Sequence, residues 1–520
     1  MNLQGMTLHE RAAQLMFPRL GSNMPPPVRV SEDLDRFEKL LDACPVGGLI
    51  LFNGAHPSTR EALSRLQRNS RVPLLVASDI ERGVGQQIRG ATVFPHARAY
   101  AAAGSEELLE SSARAQAREA LASGIHITCS PVADVNRDPR NPIIATRAFG
   151  ADPHEAARYV RAFIRGTRAE GLLTTAKHFP GHGNTSQDSH SEIPVVRADR
   201  DEMEAFDLLP FRAAIDEGVD LVMTAHVIYP ALDPERPATL SPAILRDLLR
   251  DEMSFRGATI TDSLLMGAIR NSHPDAGSQA AALVAAGVDI LLDVPDPIAA
   301  VDGIVNAVDE GVLEEEIVDA AVARVLGLKK RLIDRFGGDI FGAPETLFDA
   351  DPIGAASTRD LAHRVAYSAL DVVGGSGGVL PLKEKGEDIL GVLIKPHTTR
   401  LDPEEEPFGE AFRRAFPGAR YRQVGPEATE AELGDIRSLA ESSRIVVLAL
   451  VVKPAAWHAF GLLPEQHHLA AELVARHRTI VVALGSPVVL DDYPAAALRL
   501  CAYSDVEVSQ EAVVAFLRGT

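Results

Sequence analysis

Seven short apolar runs recur between residues 46 and 294, at 46–52, 74–79, 127–134, 171–178, 221–226, 258–262 and 288–293, and most end in a polar or charged residue. Runs so rich in Val, Ile, Leu and Ala predict parallel strands buried on both faces. Helical stretches such as 106–123 and 153–170 lie between them, so the segment reads as successive β/α units. Seven or eight such units imply a (β/α)8 TIM-type barrel. An open doubly wound sheet is the alternative, although no Gly-x-Gly-x-x-Gly stands between a strand and a helix to favour a dinucleotide site. A long amphipathic pattern over 314–336 would close the barrel, and Gly337, Gly338, Gly342 and Pro344 mark a linker. The reading is an α/β chain with a barrel domain over 1–345 and a smaller α/β sandwich domain over 346–520. In the latter, 388–394, 445–452 and 479–484 are strand-like, with helices at 410–416 and 465–477.

Composition narrows the partners. With 520 residues, 46% of them hydrophobic and 24% charged, the chain has apolar material for two cores. A formal net charge of −20 disfavours nucleic acid and anionic membrane surfaces as partners. Cys44, Cys129 and Cys501 are far apart in apolar surroundings, which suits reduced core residues rather than a disulfide framework. No basic segment followed by an apolar stretch opens the sequence, and no run approaches the roughly 18 apolar residues of a membrane span. The expected compartment is the cytoplasm.

One segment carries more chemistry than a structural loop needs. Lys177 to His190 reads Lys-His-Phe-Pro-Gly-His-Gly-Asn-Thr-Ser-Gln-Asp-Ser-His. It leaves the C-terminal end of an apolar run, where barrel enzymes place their catalysis. Surface or capping histidines are the plain alternative. A metal site is another, because His178, His182, Asp188 and His190 could supply N and O ligands. Lys177 argues against it, since an ammonium is repelled by a divalent cation. A sugar site fits these groups better, because lysine, histidine and carboxylate side chains donate to and accept from hydroxyls. No metal and no cofactor are expected.

This run, followed by the pair Asp188 and His190, resembles the signature of glycoside hydrolase family 3, and within it the β-N-acetylglucosaminidase branch. The resemblance extends through 366–382, ending in Leu380-Pro381-Leu382, through Ala483-Leu484-Gly485-Ser486-Pro487, and through 503–519. It implies the same two-domain fold and a retaining, exo-acting reaction through a glycosyl-aspartate. Asp262, in Thr259-Ile260-Thr261-Asp262-Ser263-Leu264-Leu265-Met266, matches the family's nucleophile, although from position alone it could cap the next helix. His190 is implied as acid/base with Asp188 orienting its ring; an imidazole of ordinary pKa, about 6.5, can donate in one step and accept in the next.

Asp79, Arg147, Lys177 and His178 match sugar-binding positions of the family. His226 ends an apolar run near the same rim, and either binds substrate or is a buried histidine bonded to a backbone carbonyl. The chain departs from the family pattern at Arg82, where relatives have a glycine, at Gln86-Gln87, where they commonly have an arginine, and at Ala148, where a serine is common. Asp134 and Asn136 read as loop scaffolding. The implied partner is a small carbohydrate with terminal β-linked N-acetylglucosamine, from muropeptide fragments in peptidoglycan recycling or from chitin. Two alternatives stay open: a phosphorylase that releases the sugar to inorganic phosphate, and a non-catalytic carbohydrate-binding barrel.

Overall fold

The computed structural model describes residues 5–185, 193–270, 275–348, 350–375, 377–383, 385–398, 405–454 and 460–520. The chain forms two compact units. One comprises Met1–Thr92, Glu106–Asp138 and Gly150–Thr358; the other comprises Val93–Ser105, Pro139–Phe149 and Arg359–Thr520. The helix Glu315–Phe336 and the turns after it thus belong to the first unit, while the excursions 93–105 and 139–149 pack with the second.

The first unit is a ring of parallel strands. Arg19–Leu20, Gly48–Leu51, Leu75–Ser78, Ile127–Thr128, Leu173–Phe179, Leu221–Thr224 and Ala258–Thr261 pair side by side in that order. Leu291–Leu292 closes the ring. Ile290 bridges Ile260 on one side, and on the other Leu291 and Leu292 register with Met16 and Phe17. The first strand therefore has two halves separated by Pro18, which has no N–H to give to a ladder. Every residue of Gly48–Leu51, Leu75–Ser78, Leu173–Phe179, Leu221–Thr224 and Ala258–Thr261 is buried. That is why these strands read as continuous apolar runs rather than as alternating patterns.

The helix that feeds the fifth strand shows how local chemistry sets an element's ends. Asp152 caps Pro153–Glu170 by accepting the N–H groups of His154 and Glu155, and Pro153 stands where a missing donor costs nothing. Gly171 ends the helix at φ +94°, and a Cβ there would lie 2.5 Å from the Arg335 guanidinium. The chain can therefore reverse straight into Leu173.

The second unit is built on a six-stranded sheet in the order Asp371–Gly375, Leu498–Cys501, Thr479–Gly485, Ile445–Val452, Ile389–Ile394 and Arg420–Val424. All pairs are parallel except the first, which is antiparallel. Its two faces carry separate apolar clusters, Leu390, Leu448 and Val481 pointing into one and Leu393, Val447 and Val482 into the other. Pro407–Ala415 begins three residues before the expected helix because Pro407 can open a helix at N1. Cys44, Cys129 and Cys501 are buried free thiols. Among the described residues no helix is long and apolar enough to cross a membrane.

Candidate active site

Carboxylates and cations gather where the barrel strands end. Lys177 and His178 lie within the fifth strand, Leu173–Phe179, all seven of whose residues are buried. The Lys177 ammonium, 2% exposed, sits 2.7 Å from Oδ1 of Asp79 and 2.7 Å from Oε1 of Glu81. Asp79 follows Leu75–Ser78 and keeps its side chain 32% exposed. Lys177 thus anchors a carboxylate that still faces open space.

His178 is aimed by Asp134. Its Nδ1 donates to Asp134 Oδ2 at 2.7 Å, and its peptide N–H reaches both carboxylate oxygens at 3.2 Å. The His182 peptide N–H adds a bond to Oδ1 at 2.7 Å. Burial alone would push the Asp134 carboxyl up, but the His178 charge and bond and the His182 contacts outweigh it and hold the carboxyl below its ordinary value. With Nδ1 committed, Nε2 of His178 faces Asp262, 3.9 Å from its Oδ2. The His182 ring is held down to about 4 by burial and by the nearby His178, so it is neutral.

Asp134→Asn should cost about 1–3 kcal/mol, because a donor bonded to the carboxylate is left facing an amide. The carboxylate's contribution is complete above its unfolded pKa of about 3.9 and is lost as pH falls through its lower folded value. The variant's acid unfolding should therefore be shallower than that of the wild type; coincident acid branches would contradict the pairing.

Asp262 directly follows Ala258–Thr261, and its own N–H reaches the Thr224 carbonyl at 3.3 Å. Its Oδ1 accepts the Ser263 peptide N–H at 2.7 Å. Burial would raise this carboxyl, yet His178, His226, Lys177 and the Ser263 N–H together hold it down to about 2. It is a carboxylate across the neutral range, 23% exposed.

His226 has both ring nitrogens engaged. Nδ1 lies 2.8 Å from Thr239 Oγ1, and Nε2 lies 3.2 Å from the Ser263 carbonyl. Burial lowers its pKa against the pull of Asp262. Of its two sequence readings, this geometry is that of the buried histidine bonded to a carbonyl, and the carbonyl belongs to the residue after Asp262.

Arg147 ends the turn Ala145–Arg147 in the segment that packs with the second unit. Its Nη1 donates to the Ile143 carbonyl at 3.0 Å, while Asn141 Oδ1 accepts the N–H groups of Ile143 and Ile144. Asp188 and His190 lie outside the described residues. Among the described residues no cluster of three or more His, Cys, Asp or Glu side chains is set to hold a metal ion.

Sequence reasoning left Glu81 without a role and assigned none to Arg19, Ser263 or Asp293. It read Asp134 as scaffolding, which is how Asp134 behaves here, but without its consequence for His178. One signal was available: Asp79, Asp262 and Asp293 each stand immediately after a barrel strand.

The profile of the "Glycosyl hydrolase family 3 N terminal domain" matches residues 7–328. The chain belongs to glycosyl hydrolase family 3. A Cellulomonas fimi protein named beta-N-acetylglucosaminidase/beta-glucosidase is 33% identical over 348 residues, which is 65% of this chain and 61% of its own. The chain thus spans about three fifths of that relative's length. A beta-hexosaminidase of Pseudomonas aeruginosa is 40% identical over 251 residues, 47% of this chain and 74% of its own. The solved structure of a family 3 beta-N-acetylglucosaminidase from Paenibacillus sp. str. FPU-7 superposes with a TM-score of 0.87 at 30% identity, covering 99% of this chain and 97% of that one. For this family 3 chain, barrel and α/β layer domain agree with the architecture expected from sequence, and the relatives' names agree with the branch it resembles.

Proposed function

We propose that this family 3 chain is a retaining, exo-acting β-N-acetylglucosaminidase that works through a glycosyl-Asp262 intermediate. The observation that carries the reading is the ionised Asp262, held at about 2, beside His178 and close to the Asp79–Lys177 pair on the same barrel ends. Asp79, Lys177 and His178 bind sugar hydroxyls; Arg147 is assigned a substrate contact on the family motif. In the first step Asp262 attacks the anomeric carbon as the bond to the aglycone oxygen breaks, and that oxygen takes its electron pair and a proton from His190, which Asp188 orients. In the second, His190 takes a proton from water, the water oxygen bonds to the anomeric carbon, and Asp262 leaves as carboxylate. Two inversions give net retention. The acidic surface and reduced thiols suit a cytoplasmic enzyme acting on small muropeptide or chitin fragments.

Incubation with aryl glycosides tests the reading. The β-N-acetylglucosaminide should be cleaved faster than the β-glucoside, giving the β-anomer first and without need of phosphate. A faster β-glucoside rate, or sugar 1-phosphate as the main product, overturns it. His190→Ala should slow alkyl glycosides by about 10²- to 10⁴-fold but dinitrophenyl glycosides far less, because a good leaving group departs with little proton assistance. Equal losses on both substrates would make His190 a binding residue.

A further inference from the structure

The segment that carries Asp262 is held by a buried chain of charge that the steps above do not use. Asp293 follows the eighth barrel strand with φ +61°, a left-handed backbone that few residues other than Gly, Asn and Asp adopt. Such conformations persist where the surroundings over-determine them, and they cluster at functional sites. The Asp293 carboxylate is 1% exposed. Its Oδ1 accepts Arg19 Nε–H at 2.9 Å, and its Oδ2 accepts both Arg19 Nη2–H and Ser263 Oγ–H. The two-pronged pair fixes both groups, and the guanidinium lies 4.8 Å over the Phe52 ring.

Ser263 is pinned at each of its polar groups. Its hydroxyl is on Asp293, its carbonyl takes the His226 Nε2–H and the Met266 N–H, each at 3.2 Å, and its N–H is on Asp262 Oδ1 at 2.7 Å. The two Asp262 oxygens are therefore unequal. Oδ1 is committed to a peptide N–H, whereas Oδ2 faces His178 Nε2 across 3.9 Å, too long for a direct hydrogen bond.

We propose, on the glycosidase reading above, that Arg19 and Asp293 are positioning residues that lock Ser263 so that its N–H holds Oδ1 and leaves Oδ2 as the attacking oxygen. The Oδ2–C1 bond forms as the C1–aglycone bond breaks, and Oδ1 becomes the carbonyl oxygen of the glycosyl ester while keeping the same N–H. The device acts on orientation alone, and a misplacement of about 1 Å at a reacting atom can cost about 10²-fold in rate.

Single-turnover release of dinitrophenolate from dinitrophenyl β-N-acetylglucosaminide reads the glycosylation step. Ser263→Ala, which removes one hydroxyl, and Asp293→Asn should each slow it about 10- to 100-fold with KM nearly unchanged. The double variant should be no slower than the slower single, because both break one link. Ser263→Thr, which keeps the hydroxyl, should recover most of the loss. Multiplicative losses, or variants that lose thermal stability but glycosylate at the wild-type rate, overturn the proposal and leave the glycosidase reading intact. A wild-type protein that releases no dinitrophenolate overturns the glycosidase reading, and this role falls with it.

Discussion

Asp262→Asn should lose on the order of 10⁴-fold or more of its turnover while still binding N-acetylglucosamine. The amide keeps the carboxylate's shape and its oxygen can still take the Ser263 N–H, but it has no charge with which to attack the anomeric carbon. The deficit should be flat from mildly acidic to alkaline pH, because the wild-type group, held at about 2, is ionised throughout that range. Any acid limb in the wild-type profile therefore belongs to another group. The folded state should not suffer in proportion, since the substitution also removes the cost of burying a charge. Steady-state rates with calorimetric binding form the check. Turnover above about 1% of wild type with an unchanged ligand affinity would place the nucleophile elsewhere.

Lys177→Met should be the most destabilising single change on the barrel ends. The ammonium is 2% exposed and lies 2.7 Å from both Asp79 and Glu81, so its removal breaks two ion pairs at once. Breaking a buried pair costs about 3–5 kcal/mol, and the lower end applies because Asp79 is 32% exposed and part of its charge is screened by water. Urea unfolding of the wild type and the variant measures the loss. Adding Glu81→Gln should recover part of it; a penalty with no recovery would mean that Lys177 acts by packing alone.

The barrel was legible because most of its strands are buried on both faces, which writes each one as an unbroken apolar run. The first strand was not, because Pro18 and Arg19 interrupt Met16, Phe17 and Leu20 with a ring that cannot donate and a charge that does structural work. In the second unit the strands inside the sheet were read where they are long, whereas Arg420–Val424 and Asp371–Gly375 lie at the edges with exposed side chains and blur the signal. At the candidate site, Asp79, Lys177, His178 and Asp262 carried motifs and were singled out from them. Their supports were not, because Asp134 reaches His178 across 44 positions and Arg19 reaches Asp293 across 274. A sequence shows which groups are available; only the closed ring shows which of them touch.

The divided first strand makes the beginning of the chain part of the barrel's seam. Met16 and Phe17 hold Leu291 and Leu292, and Arg19 and Leu20 hold Ile50 and Leu51, so four residues join the last and second strands of the ring. Trimming into this stretch, or burying it under a fused tag, would unfasten the barrel and release Asp293 from Arg19 in the same cut. An inactive product from an over-shortened expression design would then reflect an opened seam rather than a missing catalytic group, and a circular permutant is better given its new ends in an exposed loop such as that around Val312, which is 77% exposed.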